Sequence, residues 1–211
     1  MCSFYPLPEN HFPRSILELR LSDFSPADYG PVFVAWLDRN RCRPLDDSQP
    51  QEGGHQGLPE LSIETAFTNS PLADQKMAEC CLAGVWLLHD CLEQSHTVSQ
   101  NIPTDSGSFW HGIMHRREGD FSNAKYWFRR VGKHAVFEPL AEQVIEIRQQ
   151  LGQTSGAVEL LCSAPWDPFA FVDCCRSAVR GENDAQVLCG RIQQAEWELL
   201  FDHCYRSATA T

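Results

Sequence analysis

The sequence predicts an all-α fold, a single-domain irregular helical bundle of about seven helices over residues 1–211. Helix-start signals, in which Ser or Asp precedes Pro, recur along the chain, and glycines stand where runs of helical periodicity stop. Strand-type alternation of apolar and polar residues is confined to short stretches such as Leu61-Ser62-Ile63. The start and stop signals are Ser25-Pro26, Ser70-Pro71, Asp167-Pro168, Gly132, Gly152 and Gly181.

The first half of the chain predicts two helices with a loop between them. Ser25-Pro26 begins a helix over residues 26–40. Residues 41–58 hold two prolines, three glycines and no apolar face, so we expect an exposed, flexible loop. From Leu72 the apolar residues return at helical spacing for about six turns, which predicts the longest helix, ending near His96.

The second half predicts five shorter helices. One covers residues 106–117 and is broken by Gly119. Asp120 or Ser122 caps the next helix, which ends at Gly132. Apolar stripes at helical spacing then predict three further helices, over residues 139–151, 168–180 and 184–205.

Charge is distributed unevenly along the chain. The formal net charge is −11, which disfavours a nucleic-acid partner because such binding needs a basic surface. Between His111 and His134, however, six Lys or Arg face two acids, so this segment carries +4 and the rest of the chain −15. A basic, His-rich segment in an acidic protein points to a site for an anion.

Membrane association and secretion are not expected. No apolar run approaches the roughly 18 residues of a membrane span, since the longest covers nine residues, 80–88. The N-terminus lacks the basic and apolar regions of a secretory signal. Ten cysteines occur without a Cys-x-x-Cys pair, which favours buried, reduced thiols over a zinc ribbon. We therefore expect a cytoplasmic protein.

Histidines and one glutamate occur at helical spacing on two neighbouring helices. His111 and His115 are four apart and share a face, as do His89, Glu93 and His96 on the preceding helix. If the helices pack antiparallel, these five residues form a candidate metal site. The alternative is a hydrogen-bonded structural pair of histidines. The cofactor is left open, with a divalent metal as the candidate.

Basic and aromatic side chains cluster in the same region and favour an anionic ligand. Arginine forks bind carboxylate or phosphate, and flat aromatic rings can wall such a pocket. The alternative is internal salt bridging with the many acids of the chain. The candidate ligand-binding residues are Trp110, Arg116, Arg117, Lys125, Tyr126, Arg129 and Arg130.

The segment that carries these residues, 95–134, resembles a family of uncharacterised bacterial and fungal proteins. The resemblance rests on Ser106-Gly107-Ser108, a His-Arg-Arg-Glu step and the run Asn-Ala-Lys-Tyr-Trp-Phe-Arg-Arg-Val-Gly. It implies no activity, but it marks this segment as the site.

Three functions remain open. The first is binding of a small anionic ligand in a His/Arg/Trp-lined pocket, with His111 and His115 as candidate catalytic acid–base groups. The second is a helical interaction module, similar to a tetratricopeptide repeat, that grips an acidic partner. The third is metal binding. In each case we expect the rings of His96, His111 and His115 to converge in one cavity with Trp110 and at least one of the arginines.

Overall fold

The computed structural model of the chain describes residues 24–38, 40–46, 58, 61–68, 70–151, 165–181 and 183–209. Within these ranges the fold is all-α, with nine α-helices, one turn of 3₁₀-helix at Pro26–Tyr29 and no strand. The helices are α1 (Gly30–Leu37), α2 (Ile63–Ala66), α3 (Gln75–Leu88), α4 (Leu92–Ser99), α5 (Asp105–Arg117), α6 (Phe121–Val131), α7 (Phe137–Leu151), α8 (Pro168–Ala178) and α9 (Asn183–Thr209).

Side-chain caps begin the helices that build the site region. Asp74 caps α3, Thr104 caps α5 and Asp120 caps α6, each by accepting a hydrogen bond from a backbone N–H of the first turn. Asp167 does the same for α8, as its Asp-Pro signal predicted. The start of α3 lies a few residues after Ser70-Pro71, because Asp74 provides the cap.

The long helix α9 forms the centre of the bundle, and α3, α7 and α8 pack around it. Its aromatic side chains join those of the N-terminal helices in edge-to-face contacts, such as Phe33 against Phe201 at 5.5 Å between ring centroids. The indole N–H of Trp197, also on α9, donates a hydrogen bond to the Gly84 carbonyl of α3. Helices α4, α5 and α6 follow one another on one side of α3.

Two sequence predictions need correction within the described residues. The helix predicted to run from Leu72 to His96 is two helices, α3 and α4, because Asp90 adopts a left-handed φ of 60° that ends the first. This break raises the helix number above seven. The stretch Leu61-Ser62-Ile63 is not β structure but leads into α2, since Ser62 and Thr65 form a capping box.

The loop predicted over residues 41–58 is described only at its two ends. Those ends are not exposed: Cys42, Arg43, Leu45 and Leu58 are all buried. Their burial follows from contacts with the helices, such as the ion pair between Arg43 and Asp90. The interior of the predicted loop lies outside the described residues.

The described cysteines behave as small apolar packing residues. Seven of these eight side chains are buried, in line with the expectation from the sequence. No helix in the described part of the chain is long and apolar enough to cross a membrane.

A tight turn joins α5 to α6. Gly119 adopts φ +83°, and the N–H groups of Gly119 and Asp120 donate to the carbonyls of Arg116 and His115, which is a Schellman motif. Farther along the hairpin, a Cβ on Gly112 would lie 3.1 Å from the Phe128 ring, so glycine allows the two helices to approach closely. The hairpin therefore holds the basic segment in one rigid unit.

A three-histidine candidate metal site

The rings of His96, His111 and His115 converge, as the sequence predicted. Ring centroids lie 4.6 Å apart for His96 and His111, 4.7 Å for His111 and His115, and 5.3 Å for His96 and His115. One nitrogen of each ring lies within 4.8 Å of the others. His111 and His115 are buried and His96 is half-buried, so the cluster lies at the edge of the core.

Ser99 contacts one ring nitrogen of His111. The Ser99 hydroxyl oxygen lies 2.7 Å from the Ser95 carbonyl and 2.8 Å from Nδ1 of His111. Ser99 has one hydroxyl proton, so two arrangements satisfy these contacts. If the proton goes to the Ser95 carbonyl, Nδ1–H of His111 donates to Ser99 and Nε2 of His111 is unprotonated. If it goes to Nδ1 of His111, Nε2–H of His111 donates to Nε2 of His115.

Glu118 keeps the proton of His115 on Nδ1. A carboxylate oxygen of Glu118 lies 3.0 Å from Nδ1 of His115, so this nitrogen donates and the proton of the neutral ring lies there. Asn123, in the first turn of α6, places its amide nitrogen 3.0 Å from Nε2 of His115. Since Nδ1, beside Glu118, carries the single proton of the neutral ring, Nε2 of His115 is unprotonated.

The burial of the cluster keeps the two rings neutral. Burial, and to a lesser extent the neighbouring His115 and His96, lower the pKa of His111 to about 3. Burial also lowers the pKa of His115, although the Glu118 carboxylate opposes this shift. Near neutral pH both imidazoles present lone pairs and no positive charge.

The two Nε2 atoms meet. Nε2 of His111 and Nε2 of His115 are 3.0 Å apart. In this contact either one ring donates to the other or, when Nδ1 of both rings is protonated, two lone pairs face each other. Two acceptors at hydrogen-bond distance repel each other unless a cation lies between them. The cluster thus has the ligand type and spacing of a metal site in which Ser99 and Glu118 orient the rings.

The aromatic wall of the cluster is Trp127 and not Trp110. The Trp127 ring centroid lies 4.0 Å from that of His111, and the Arg130 guanidinium stacks 5.1 Å from the Trp127 ring. Trp110 was predicted to line the cavity, and this is wrong. As the helix neighbour of His111 it points about 100° away, toward Gly84 and Trp197.

Two arginines of the predicted anion site form internal ion pairs. Arg116 is fully buried and pairs with Glu196 of α9, and Arg117 donates to Asp90 at 2.6 Å and to the Leu87 carbonyl at 2.8 Å. This is the internal salt bridging that the sequence left as the alternative. These guanidinium groups point away from the histidine cluster and toward the core.

The remaining candidates for ligand binding lie on the outer surface of the hairpin. Lys125 donates to Asp173 of α8 at 2.7 Å, and the Arg129 guanidinium lies 5.9 Å from the Phe169 ring. Tyr126 is 49% exposed. A role in ligand binding for these residues stays a prediction.

Two of the five predicted metal ligands lie outside the cluster. A ring nitrogen of His89 is 2.9 Å from the Trp36 carbonyl, and Glu93 is exposed on α4. The break at Asp90 separates His89 from α4, so the helical register that linked it to His96 is lost. The use of His111 and His115 as catalytic acid–base groups stays a prediction.

Sequence reasoning missed Ser99, Glu118 and Asn123. Glu118 carries a local signal, because it follows His115 by three positions, about one helical turn. Ser99 contacts His111, twelve positions along the chain and on the next helix, so it carries none. The contact of Asn123 depends on the α5–α6 turn and has no such signal.

Comparisons with known proteins give no assignment. No family model matches the chain, and neither does any curated protein or any solved structure. The resemblance of residues 95–134 to uncharacterised proteins and the interaction-module hypothesis both stay predictions. The site must therefore be interpreted from its own chemistry.

Proposed function

We propose that this protein binds a divalent transition-metal ion of the zinc type through His96, His111 and His115. The observation that carries the proposal is the convergence of three imidazole rings, with the Nε2 atoms of His111 and His115 3.0 Å apart. When Nδ1 of each ring carries the proton, beside Ser99 and Glu118, both Nε2 lone pairs can bind one cation.

The distances are near those of coordination. Imidazole nitrogens bind zinc at about 2.0–2.1 Å, so two of them at the tetrahedral angle are about 3.3 Å apart. Nε2 of His111 and Nε2 of His115 are slightly closer, and the three ligand atoms, which lie within 4.8 Å of one another, would draw together around the ion. His96 completes a set of three donors that belong to two adjacent helices, α4 and α5. The i,i+4 spacing of His111 and His115 lets one helix provide two of the three.

The surroundings of the rings support the same function. A metal-binding histidine usually donates its second N–H to a carboxylate or another acceptor, which orients the ring and makes it a better ligand. Glu118 is that acceptor for His115, and Ser99 is that acceptor for His111.

The donor set also limits the choice of ion. Three neutral nitrogens favour Zn²⁺, Cu²⁺, Ni²⁺ or Fe²⁺, whereas Mg²⁺ and Ca²⁺ prefer oxygen ligands. Glu93, the carboxylate predicted to join the set, is exposed on α4 and outside the cluster. We therefore expect zinc or cobalt to bind and magnesium not to compete.

The test is a calorimetric titration of the chelator-treated, full-length protein with Zn²⁺ and, separately, Co²⁺. We expect one ion per chain in the wild type and a loss of affinity of at least about 100-fold in His111→Gln and His115→Gln. The matched control is His203→Gln, because His203 also neighbours another histidine ring, that of His134 at 4.9 Å, away from the cluster.

Two outcomes would overturn the proposal. One is a wild-type protein that takes up neither Zn²⁺ nor Co²⁺ at micromolar concentration. The other is a loss of affinity in His203→Gln as large as that in His111→Gln, since the ion would then not depend on this cluster.

A further inference from the structure

The proposed metal ion has three protein ligands, which leaves its coordination incomplete. Among the described residues, no Cys, Asp, Glu or further His joins the group formed by His96, His111 and His115. The nearby Glu118 carboxylate is engaged with Nδ1 of His115 on the far side of that ring. Three protein ligands and one exchangeable position are the arrangement of catalytic zinc sites, whereas structural zinc sites are closed by four.

The charge balance favours an anion at the remaining position. Three neutral imidazoles place no negative charge on a divalent ion, and the carboxylates that act on the cluster, Glu118 and Asp120, do so through His115 and not as ligands. A second positive charge lies nearby, since the Arg130 guanidinium stacks on Trp127, whose ring contacts His111. A half-buried site with this net charge attracts small anions.

Asn123 provides a hydrogen-bond donor on the same side. Its amide nitrogen lies 3.0 Å from Nε2 of His115 and 3.5 Å from Nδ1 of the same ring. A group on the lone-pair axis of Nε2 would be much farther from Nδ1, so the amide lies beside the ring. It leaves that axis open to a metal ion and can donate to an anion bound next to the ring.

We propose that the metal ion of this site binds a small exchangeable anion at its open position, between Asn123 and the wall formed by Trp127 and Arg130. The inference rests on the proposed metal binding and adds the class of ligand that the ion takes. Hydroxide occupies the position when no other anion is supplied. Carboxylate or phosphate groups of larger molecules are the ligands that share this chemistry.

The test uses the full-length protein loaded with Co²⁺, whose visible absorption reports on the ligands of the ion. Sodium azide is titrated at constant ionic strength, and acetate and inorganic phosphate are titrated in parallel. We expect a saturable change in the cobalt spectrum with azide. Asn123→Ala should weaken azide binding about 10-fold, because it removes a hydrogen bond to a charged group.

Adjacent arginines provide a matched pair of variants. Arg130→Gln and Arg129→Gln remove the same charge from exposed positions of α6, but Arg129 stacks on Phe169 and not on Trp127. At low salt we expect Arg130→Gln to weaken azide binding by about 3-fold and Arg129→Gln to have a smaller effect.

The inference and the proposed function fail in different ways. If Co²⁺ binds but its spectrum is unchanged by all three anions, the coordination is closed and this inference is wrong while metal binding stands. If Arg129→Gln weakens azide binding as much as Arg130→Gln, or Asn123→Ala has no effect, the anion lies elsewhere. If Co²⁺ does not bind, the proposed function has failed as well.

Discussion

Helix α5 carries two buried polar clusters, and they differ in how their hydrogen-bonding groups are matched. On one face Arg116 meets Glu196, with both side chains fully buried and opposite in charge. On another face two groups of the same kind, Nε2 of His111 and Nε2 of His115, lie 3.0 Å apart. The charges of the first cluster compensate each other without any ligand, although Nε of Arg116 has no hydrogen-bond partner among the described residues. The second cluster offers two lone pairs to a cation when Nδ1 of both rings is protonated.

The Arg116–Glu196 cluster is built from several kinds of contact. The Arg116 guanidinium donates to Glu196, lies 3.5 Å from the Gln193 side-chain oxygen and stacks 4.5 Å from the Phe171 ring. It thereby ties α5 to α8 and α9. Buried polar groups that meet a partner of opposite charge, or a donor that meets an acceptor, are matched and stabilise the fold. Buried groups of the same kind that face each other are mismatched and indicate a ligand.

The largest effect is expected at the matched cluster. Removing one partner, in Arg116→Met or Glu196→Gln, should lower the free energy of unfolding by about 3–5 kcal/mol, because an uncompensated buried charge or polar group remains. The double variant Arg116→Met/Glu196→Leu should recover most of this loss. Urea denaturation measures both. A single-variant loss below about 1 kcal/mol would show that the pair is not the structural tie described above.

The next effect concerns the residue that orients His115. Glu118→Gln should lower the Zn²⁺ affinity about 10- to 100-fold, since the neutral amide is a weaker acceptor for Nδ1–H. Glu93→Gln is the matched control, because it removes the same charge from an exposed position of α4. Equal losses in the two variants, measured by calorimetry, would mean that Glu118 acts only through its overall charge.

His134 is a buried histidine in which both ring nitrogens have hydrogen-bond partners. Nδ1 of His134 accepts from the Val136 N–H at 3.2 Å, and Nε2 donates to the Ser106 hydroxyl at 3.0 Å. Burial and the neighbouring His203 lower the pKa of His134 to about 4, and Asp105 opposes this shift.

The sign of the pH dependence follows from this shift. The unfolded chain takes up a proton near pH 6.5 and the folded protein only near pH 4, so the contribution of His134 is complete above pH 6.5 and falls as the pH drops toward 4. The slope is at most about 1.4 kcal/mol per pH unit. His134→Gln should flatten the dependence of unfolding free energy on pH between 6.5 and 4. An unchanged slope, measured by urea denaturation at several pH values, would contradict the prediction.

The smallest effect is expected at the mismatched cluster without metal. His111→Gln should change the unfolding free energy of the metal-free protein by less than about 1 kcal/mol at pH 7, because polar groups that serve a site commonly contribute little to stability. His134→Gln should cost about 1–3 kcal/mol, since it breaks matched buried hydrogen bonds. Thermal unfolding in the presence of chelator compares the two. A larger loss in His111→Gln would assign a structural role to that ring.

Much of the candidate site was predictable from local sequence. His111 and His115 share a face because they are four residues apart on a helix, and His96 joins them because the connector from α4 to α5 is short. The adjacent Trp110 was misplaced for the same geometric reason, since neighbouring positions on a helix diverge by about 100°. The wall residue, Trp127, lies on the next helix.

The partners of the arginines were beyond local reasoning. Arg116 meets Glu196, 80 positions away, and Arg117 meets Asp90, 27 positions away. Charge composition shows that acids are abundant in the chain, but it does not show which ones lie opposite a given arginine. The break at Asp90 was likewise missed, because apolar residues continue at helical spacing on both sides of it.

By itself, the sequence of this protein determined the helical class, the helix ends at glycines and caps, and the approach of three histidines. These features depend on spacing along one helix or across one short turn. Only the tertiary structure decided which polar groups are matched: Arg116 with Glu196, and His111 against His115 with Ser99 and Glu118 behind them. Protonation and charge pairing depend on distances between side chains, and packing of the whole bundle sets those distances.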